Sequence, residues 1–438
     1  MSILSASSID VPLRDFAPHP PRHIVIGITH AQTCLNLTGR LRALHEAGFR
    51  VTLISSPGEL LDRTAAREGV EAIGLPMRRD IAPLADLVSL ARLWLLLLRL
   101  RPDVSEFSTP KAGLLGSIAS LLAGVPIRVY MLRGLKLETA TGAKRLLLLA
   151  AERVAAACAQ VVLCNSQSMR SEALALGLAP EEKLQMLGDG SSNGVDVVRF
   201  SPGAGNLRAS LGIPEKAPVV GFVGRLTRDK GIPELIEAFD TIVKRQPEAH
   251  LVLVGWFDAA EDALSDAVRG RIVSHPRIHC TGFVADAAPY YRVMDVMVLP
   301  TWREGFPNVV LEAAATGIPV VTTLCTGSRD SVVPEVTGLL IPPGYPEAIS
   351  EAVLNLLREP ARLKKMGQAA RAWVCGHYAN QRVLGLAVSF YESLFNRAPA
   401  LAPAAAVTSP AAEGEISANW MFARETTVLG SETNMFVK

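Results

Sequence analysis

Short apolar runs rich in β-branched residues alternate with helix-patterned segments along most of this chain, and no other feature limits its fold as much. HIVIGITH, His23 to His30, is the first such run. A helical pattern follows from Leu35 to Glu46, with Gly48 as its C-cap. RVTLISS then reads as a second buried strand. Strand, helix and strand in that order imply parallel pairing, because antiparallel neighbours need only a tight turn between them. Further strands are expected at Val104 to Phe107, Ile127 to Met131 and Val161 to Asn165, with a helix from Lys111 to Leu122 closed by Gly124 and Pro126. A turn-rich polar stretch, Asn193 to Pro218, interrupts the rhythm and reads as a linker. Alternation then resumes. Strands are expected at Val219 to Val223, His250 to Gly255, Arg277 to Gly282 and Asp295 to Pro300, with a helix at Ile232 to Arg245. The strand IPVVTT and helices to about Asn396 complete the series. The expected fold class is α/β, with two Rossmann-like β/α/β domains facing across a cleft.

The length fits that division, since 438 residues exceed one core at roughly 150 residues per domain. The expected segments are an N-terminal extension (1–22), a first domain (23–195), a linker (196–217) and a second domain (218–380). A terminal helix (381–397) is expected to pack back on the first domain, and the Ala/Pro-rich remainder (398–438) is expected to be disordered. A net charge of +2 gives no argument for nucleic acid as a partner. Six cysteines without a C-x-x-C pair read as reduced thiols of a cytosolic protein rather than zinc ligands. MSILSASSIDVPLRDF lacks the charged and apolar regions of a signal peptide. LWLLLLRLR falls short of the ~20 apolar residues that a spanning helix needs. The expected location is therefore cytoplasmic.

A doubly wound domain binds its ligand at the carboxyl ends of its strands, commonly at a helix N-terminus. GRLTRDKG follows the strand VVGFV and offers Arg225 and Lys230 beside glycines, Gly224 among them, which suits a diphosphate. TWREGFPN follows the strand DVMVLP, and Pro307 fits the first turn of the helix after it. The free N–H groups of that turn can face an anion or sugar hydroxyls. Glu304 lies just before the turn, and a carboxylate accepts hydrogen bonds from vicinal hydroxyls. At a rise of about 1.5 Å per residue, Glu312 lies several ångströms further along that helix. Such a separation suits a hexose and a ribose on either side of a diphosphate. A third loop, GWFD (Gly255 to Asp258), reads as a plain strand-to-helix turn.

GRLTRDKG, EGFPNVVLEAAATGIPVV and the turn-rich TGLLIPPG together resemble the nucleotide-sugar domain of retaining glycosyltransferases of family four, which have the GT-B fold. The resemblance spans residues 23 to 396. STPKAGLLG, RGLKLET and GSSNGVDVVRFSP resemble segments of capsule and O-antigen sugar transferases. It implies a retaining transfer of a hexose or N-acetylhexosamine from a nucleotide diphosphate sugar, UDP-linked by default, to a lipid-linked saccharide. In that case Arg225 and Lys230 hold the diphosphate, Glu304 the donor sugar and Glu312 the ribose. The backbone of Gly305, Phe306, Pro307 and Asn308 meets sugar or phosphate, and no protein nucleophile is needed. The first domain would bind the acceptor. No cofactor is implied; the absence of any D-x-D triplet favours metal-free transfer, and the absence of a Walker A pattern and of a G-x-G-x-x-G after a strand disfavours nucleotide hydrolysis and NAD chemistry.

Two places depart from the family pattern. The loop after the first strand, THAQTCLNLTG, has one glycine instead of several. Where relatives carry a histidine, YMLRGL carries Arg133, which cannot act as a general base. Arg133 and Lys111 are the first-domain candidates for acceptor or phosphate, with a structural ion pair as the plain alternative. Two oily, basic-flanked stretches, Leu87 to Pro102 and Ala143 to Ala157, serve either as core helices or as contacts with the inner membrane's cytoplasmic face. A sugar-nucleotide epimerase and a catalytically silent binding scaffold are the competing functions.

Overall fold

A computed structural model describes residues 21–78, 82–204, 206–258 and 262–397. The tail 398–438 and most of the N-terminal extension lie outside them. The N-domain elements run β1 (His23–Gly27), α1 (Arg40–Glu46), β2 (Arg50–Ser55), α2 (Glu59–Glu68), β3 (Glu71–Gly74) and α3 (Pro83–Leu100). They continue as β4 (Val104–Ser108), α4 (Pro110–Leu122), β5 (Ile127–Leu132), α5 (Gly142–Cys158), β6 (Val161–Cys164), α6 (Gln167–Ala175) and β7 (Leu184–Met186). All seven strands are parallel, in the order β3-β2-β1-β4-β5-β6-β7.

The C-domain runs β8 (Val219–Val223), α7 (Ile232–Arg245), β9 (His250–Val254), α8 (Asp266–Ser274), β10 (Ile278–Cys280), α9 (Ala288–Tyr291) and β11 (Val296–Leu299). Then come α10 (Asn308–Ala315), β12 (Val320–Thr323), β13 (Gly338–Ile341), α11 (Pro346–Arg358), α12 (Pro360–His377) and α13 (Asn380–Arg397). Its six parallel strands are ordered β10-β9-β8-β11-β12-β13. Strands such as β1, β8 and β9 are buried at every position. Helices cover both faces of such a sheet, so their apolar runs are continuous rather than alternating.

Three expectations change. The helix from Leu35 to Glu46 divides into a 3₁₀ segment, Ala31–Leu37, and α1. Gly39, at φ 79°, lies between them in the left-handed region, where the helix cannot continue. TGLLIPPG, read as turn-rich, contains the strand β13, four residues long and mostly buried. The turn-rich stretch between the domains is packed, since Phe200, Ile213 and Ala217 are buried in the C-domain core.

The chain passes between domains twice, at adjacent places. Val195 N donates to Tyr378 O at 2.8 Å, and Asn380 N donates to Val195 O at 2.8 Å. After the second passage α13 returns to the N-domain, where Phe390, Tyr391 and Leu394 join the core of β1 and β2. Tyr391 donates to Glu106 Oε2 at 2.5 Å, and the same carboxylate pairs with fully buried Arg40 at 2.6 Å.

Candidate active site

Strand order determines where the site lies. In the C-domain sheet β8 and β11 are neighbours, and the chain builds outward from them in opposite directions. The loops leaving their carboxyl ends therefore diverge and open a crevice. The β8 loop carries Lys230 in a single 3₁₀ turn and ends at Gly231, the N-cap of α7. Gly231 has φ 72°, and a Cβ there would lie 2.0 Å from the Pro300 carbonyl oxygen, so only glycine lets the two loops meet. The Asp229 carbonyl accepts from Trp302 N at 2.9 Å and Thr301 Oγ1 at 3.1 Å. These bonds bring Lys230 Nζ to within 2.5 Å of Glu304 Oε1. Burial favours the neutral Asp229 carboxyl, but Lys230, Thr227 and the arginines around it hold its pKa below the usual carboxylate value.

The β11 loop then crosses to the other domain. A Cβ on Gly305 would lie 1.8 Å from the Arg133 carbonyl oxygen, so backbone meets backbone there. Phe306 packs on Tyr378, with ring centroids 5.3 Å apart. Pro307 stands one position before the expected helical turn, as the N-cap of α10 with extended backbone.

Between the domains lies a cavity of about 230 Å³. Gly224, Lys230, Glu304, Gly305, Phe306, Pro307 and Asn308 line it from the C-domain. Arg133, Asn165 and Ser192 line it from the N-domain. Arg133 Nη1 donates to Ser192 Oγ at 2.8 Å and Nε to Ser108 Oγ at 3.2 Å. Burial, then the charge of nearby Arg40, lowers its pKa to about 10, against the opposing pull of Glu106.

Three expected site residues stand outside the lining. Arg225 is paired with Asp258 of the GWFD loop at 2.9 Å. Lys111, in the first turn of α4, is paired with Asp86 of α3 at 2.7 Å. Glu312 lies further along α10, where its Oε2 accepts from Tyr291 Oη at 2.7 Å. Burial raises the Glu312 pKa above the usual carboxylate value, with the Tyr291 hydrogen bond working in the opposite direction. Asn165, Ser192 and Ser108 escaped the sequence reading. A signal existed for two of them, since Asn165 and Ser108 sit at the carboxyl ends of expected strands.

Residues 37–190 match the glycosyl transferase 4-like domain, and residues 217–359 match the group 1 glycosyl transferases. The capsular polysaccharide biosynthesis glycosyltransferase CapM of Staphylococcus aureus is 33% identical over 367 residues, covering 84% of this chain and 96% of that protein. The chain belongs to the group 1 glycosyltransferases. The glycosyltransferase is also similar to the UDP-Gal:α-D-GlcNAc-diphosphoundecaprenol α-1,3-galactosyltransferase of Escherichia coli. That similarity is 29% identity across 73% of this chain and 84% of that one. Its fold matches the crystal structure of Anabaena HepE with UDP-glucose, at TM-score 0.70 and 20% identity, covering 84% and 99% of the two chains. The sucrose-phosphate synthase of Thermosynechococcus elongatus gives TM-score 0.72 at 21% identity, covering 86% and 100%. This is the GT-B fold, and the lined cavity of the glycosyltransferase lies between its two domains.

Proposed function

We propose that this glycosyltransferase moves a hexose or N-acetylhexosamine, with retention and without a metal, from a UDP-sugar to a lipid-linked saccharide in surface polysaccharide synthesis. The observation that carries the reading is the Lys230–Glu304 pair at the β8/β11 switch point, facing the N-domain across the cavity. Glu304 grips hydroxyls of the donor sugar, and Lys230 neutralises the diphosphate. At about 230 Å³ the cavity is smaller than pockets that enclose whole drug-sized ligands, ~300 Å³ and above. It suits the sugar–diphosphate centre. The nucleoside then runs along α10 towards Glu312, which takes the ribose once released from Tyr291. Arg225 likewise leaves Asp258 to reach the phosphates.

In the transfer step the bond from the anomeric carbon to the diphosphate oxygen breaks, and its electron pair stays on that oxygen. An acceptor hydroxyl bonds to the anomeric carbon from the same face, and its proton passes to the departing phosphate. The chain's contribution is positioning and fixed charge. In this reading Lys230 and Arg225 supply the charge stabilisation that a divalent metal would otherwise give. The acceptor's lipid would be reached through an exposed apolar stripe on α3, considered below.

The test combines purified protein, UDP- or GDP-sugars and lipid-linked saccharide acceptors, with product configuration read by NMR. Retention, unchanged in EDTA, is expected. Glu304→Gln should cut kcat by about 100-fold, whereas Glu312→Gln should mainly raise the donor KM. Inverted product, or EDTA-sensitive activity, overturns the corresponding half of the reading.

A further inference from the structure

One cation in the cavity wall has no ion-pair partner among the described residues. Arg133 spends two of its nitrogens on neutral serine hydroxyls, those of Ser108 and Ser192. Its third, Nη2, is buried and makes no hydrogen bond. Among the described residues no carboxylate pairs with it. Glu106, whose charge reaches Arg133, is already engaged by Arg40 at 2.6 Å and by Tyr391 at 2.5 Å. Glu304, the carboxylate in the cavity lining, is engaged by Lys230. Two guanidinium groups therefore share one buried carboxylate, and the cavity with its N-domain backing carries one positive charge in excess. A structural arginine in a protein interior ordinarily takes a carboxylate partner, because a desolvated cation alone is costly. The Arg133 backbone also abuts Gly305, the neighbour of Glu304 on the opposite domain, and both Arg133 and Glu304 line the cavity.

We infer that Arg133 is the N-domain jaw of a two-sided phosphoryl clamp, taking an oxygen of the donor's terminal phosphoryl group while Lys230 approaches from the C-domain. The inference rests on the donor being a nucleoside diphosphate sugar, as proposed above. An arginine fork suits phosphate geometry, and its charge is best placed to act when the leaving diphosphate gains negative charge. It also accounts for the departure from a histidine at this place. The position serves the leaving group rather than a proton.

The discriminating measurement is calorimetric binding of UDP, GDP and UMP to wild type, Arg133→Gln and Arg133→Lys, with the unfolding midpoint of each ligand-free protein. In Arg133→Gln, affinity for the preferred nucleoside diphosphate should fall by about tenfold or more. UMP, which lacks the second phosphoryl group, should bind both proteins alike, and Arg133→Lys should fall between. The ligand-free Arg133→Gln protein should unfold at or above the wild-type midpoint, because an uncompensated charge has been removed. Equal diphosphate affinity in Arg133→Gln overturns the clamp, as does a change confined to the acceptor KM. A clear fall in the ligand-free midpoint overturns it too, by making Arg133 a structural strut. Wild type that binds neither UDP nor GDP defeats the donor reading itself.

Discussion

At Gly305 the two domains touch through backbone alone. A methyl group there would overlap the Arg133 carbonyl oxygen, at 1.8 Å, and neither neighbour has a rotamer with which to retreat. Gly327 backs the same loop from behind, since its own Cβ would lie 2.1 Å from the Gly305 oxygen. Gly305→Ala should therefore force the domains apart rather than distort either core. Overpacking of this kind costs roughly 1–3 kcal/mol, here expressed as opening. Activity should drop by about 100-fold, with a larger radius of gyration in small-angle scattering and a near-native circular dichroism spectrum. Wild-type turnover in the alanine variant would defeat the idea that the Gly305 loop must be pressed against Arg133. This contact explains why the sequence discloses residue types at the site but not their grouping. Glu304 and Lys230 were readable from loops after neighbouring strands. That Lys230 pairs with Glu304 while Arg225 turns to Asp258 depends on loop geometry that no local pattern encodes.

At the level of elements, long amphipathic helices and buried strands were legible because their periodicity is strong. Short pieces between turns were not. β13 is four residues that begin at Gly338 after Thr337 and are followed by Pro342-Pro343, so turn chemistry masked it. β3, on the sheet edge, has no buried position and so no pattern to read. β10, at one edge of the C-domain sheet, carries a feature with a measurable consequence. His279 Nε2 lies 2.8 Å from His250 Nδ1, and the rings stack with centroids 5.1 Å apart. One proton bridges the pair, so at most one more can bind before two cations face each other. Burial lowers both pKa values, and for His250 the neighbouring His279, Arg277 and Arg208 add to it while Glu248 opposes. A depressed histidine pKa means that the unfolded chain binds protons first. The pair's stabilising effect is therefore complete above the ordinary value of 6.5 and is lost as pH falls below it. His279→Asn keeps a hydrogen-bonding side chain without that titration. Its melting temperature should fall less between pH 7 and pH 5 than the wild type's, by on the order of 2 °C. Parallel pH curves for the two proteins would remove the pair from any account of acid sensitivity.

Across the whole molecule, hydrogen bonds outside the cavity also tie the two domains together. Ser168 N, at the start of α6, donates to Asp330 Oδ2 at 2.9 Å, and Gly327 N donates to Ser168 Oγ at 2.7 Å. The loop behind Gly305 is thereby tied to the N-domain. α3 has one core face and one exposed apolar face. Ser89, Leu93 and Leu97 face inward, while Leu84, Leu87, Leu95 and Leu98 are exposed on the opposite side. Arg92 and Arg99 are exposed one helical turn beyond Val88 and Leu95, on that same outer side. Exposed Leu146 and Leu147 of α5, beside Lys144 and Arg145, repeat the combination. A stripe this apolar is unusual on a surface that meets only water, and its cationic rim suits an anionic bilayer. Among the described residues no helix is long and apolar enough to cross a membrane. Purified protein should co-sediment with vesicles rich in anionic lipid, less with neutral ones, and less again at high salt. Arg92→Gln with Arg99→Gln removes two charges worth about 1 kcal/mol each near such a surface, so affinity should fall roughly thirtyfold. Leu87→Ser with Leu95→Ser should weaken binding to anionic and neutral vesicles alike. Activity on a soluble acceptor analogue should survive in both double variants, because α3 lines no part of the cavity. Vesicle binding that neither variant weakens would place membrane contact elsewhere on the molecule and leave the α3 stripe without a bilayer role.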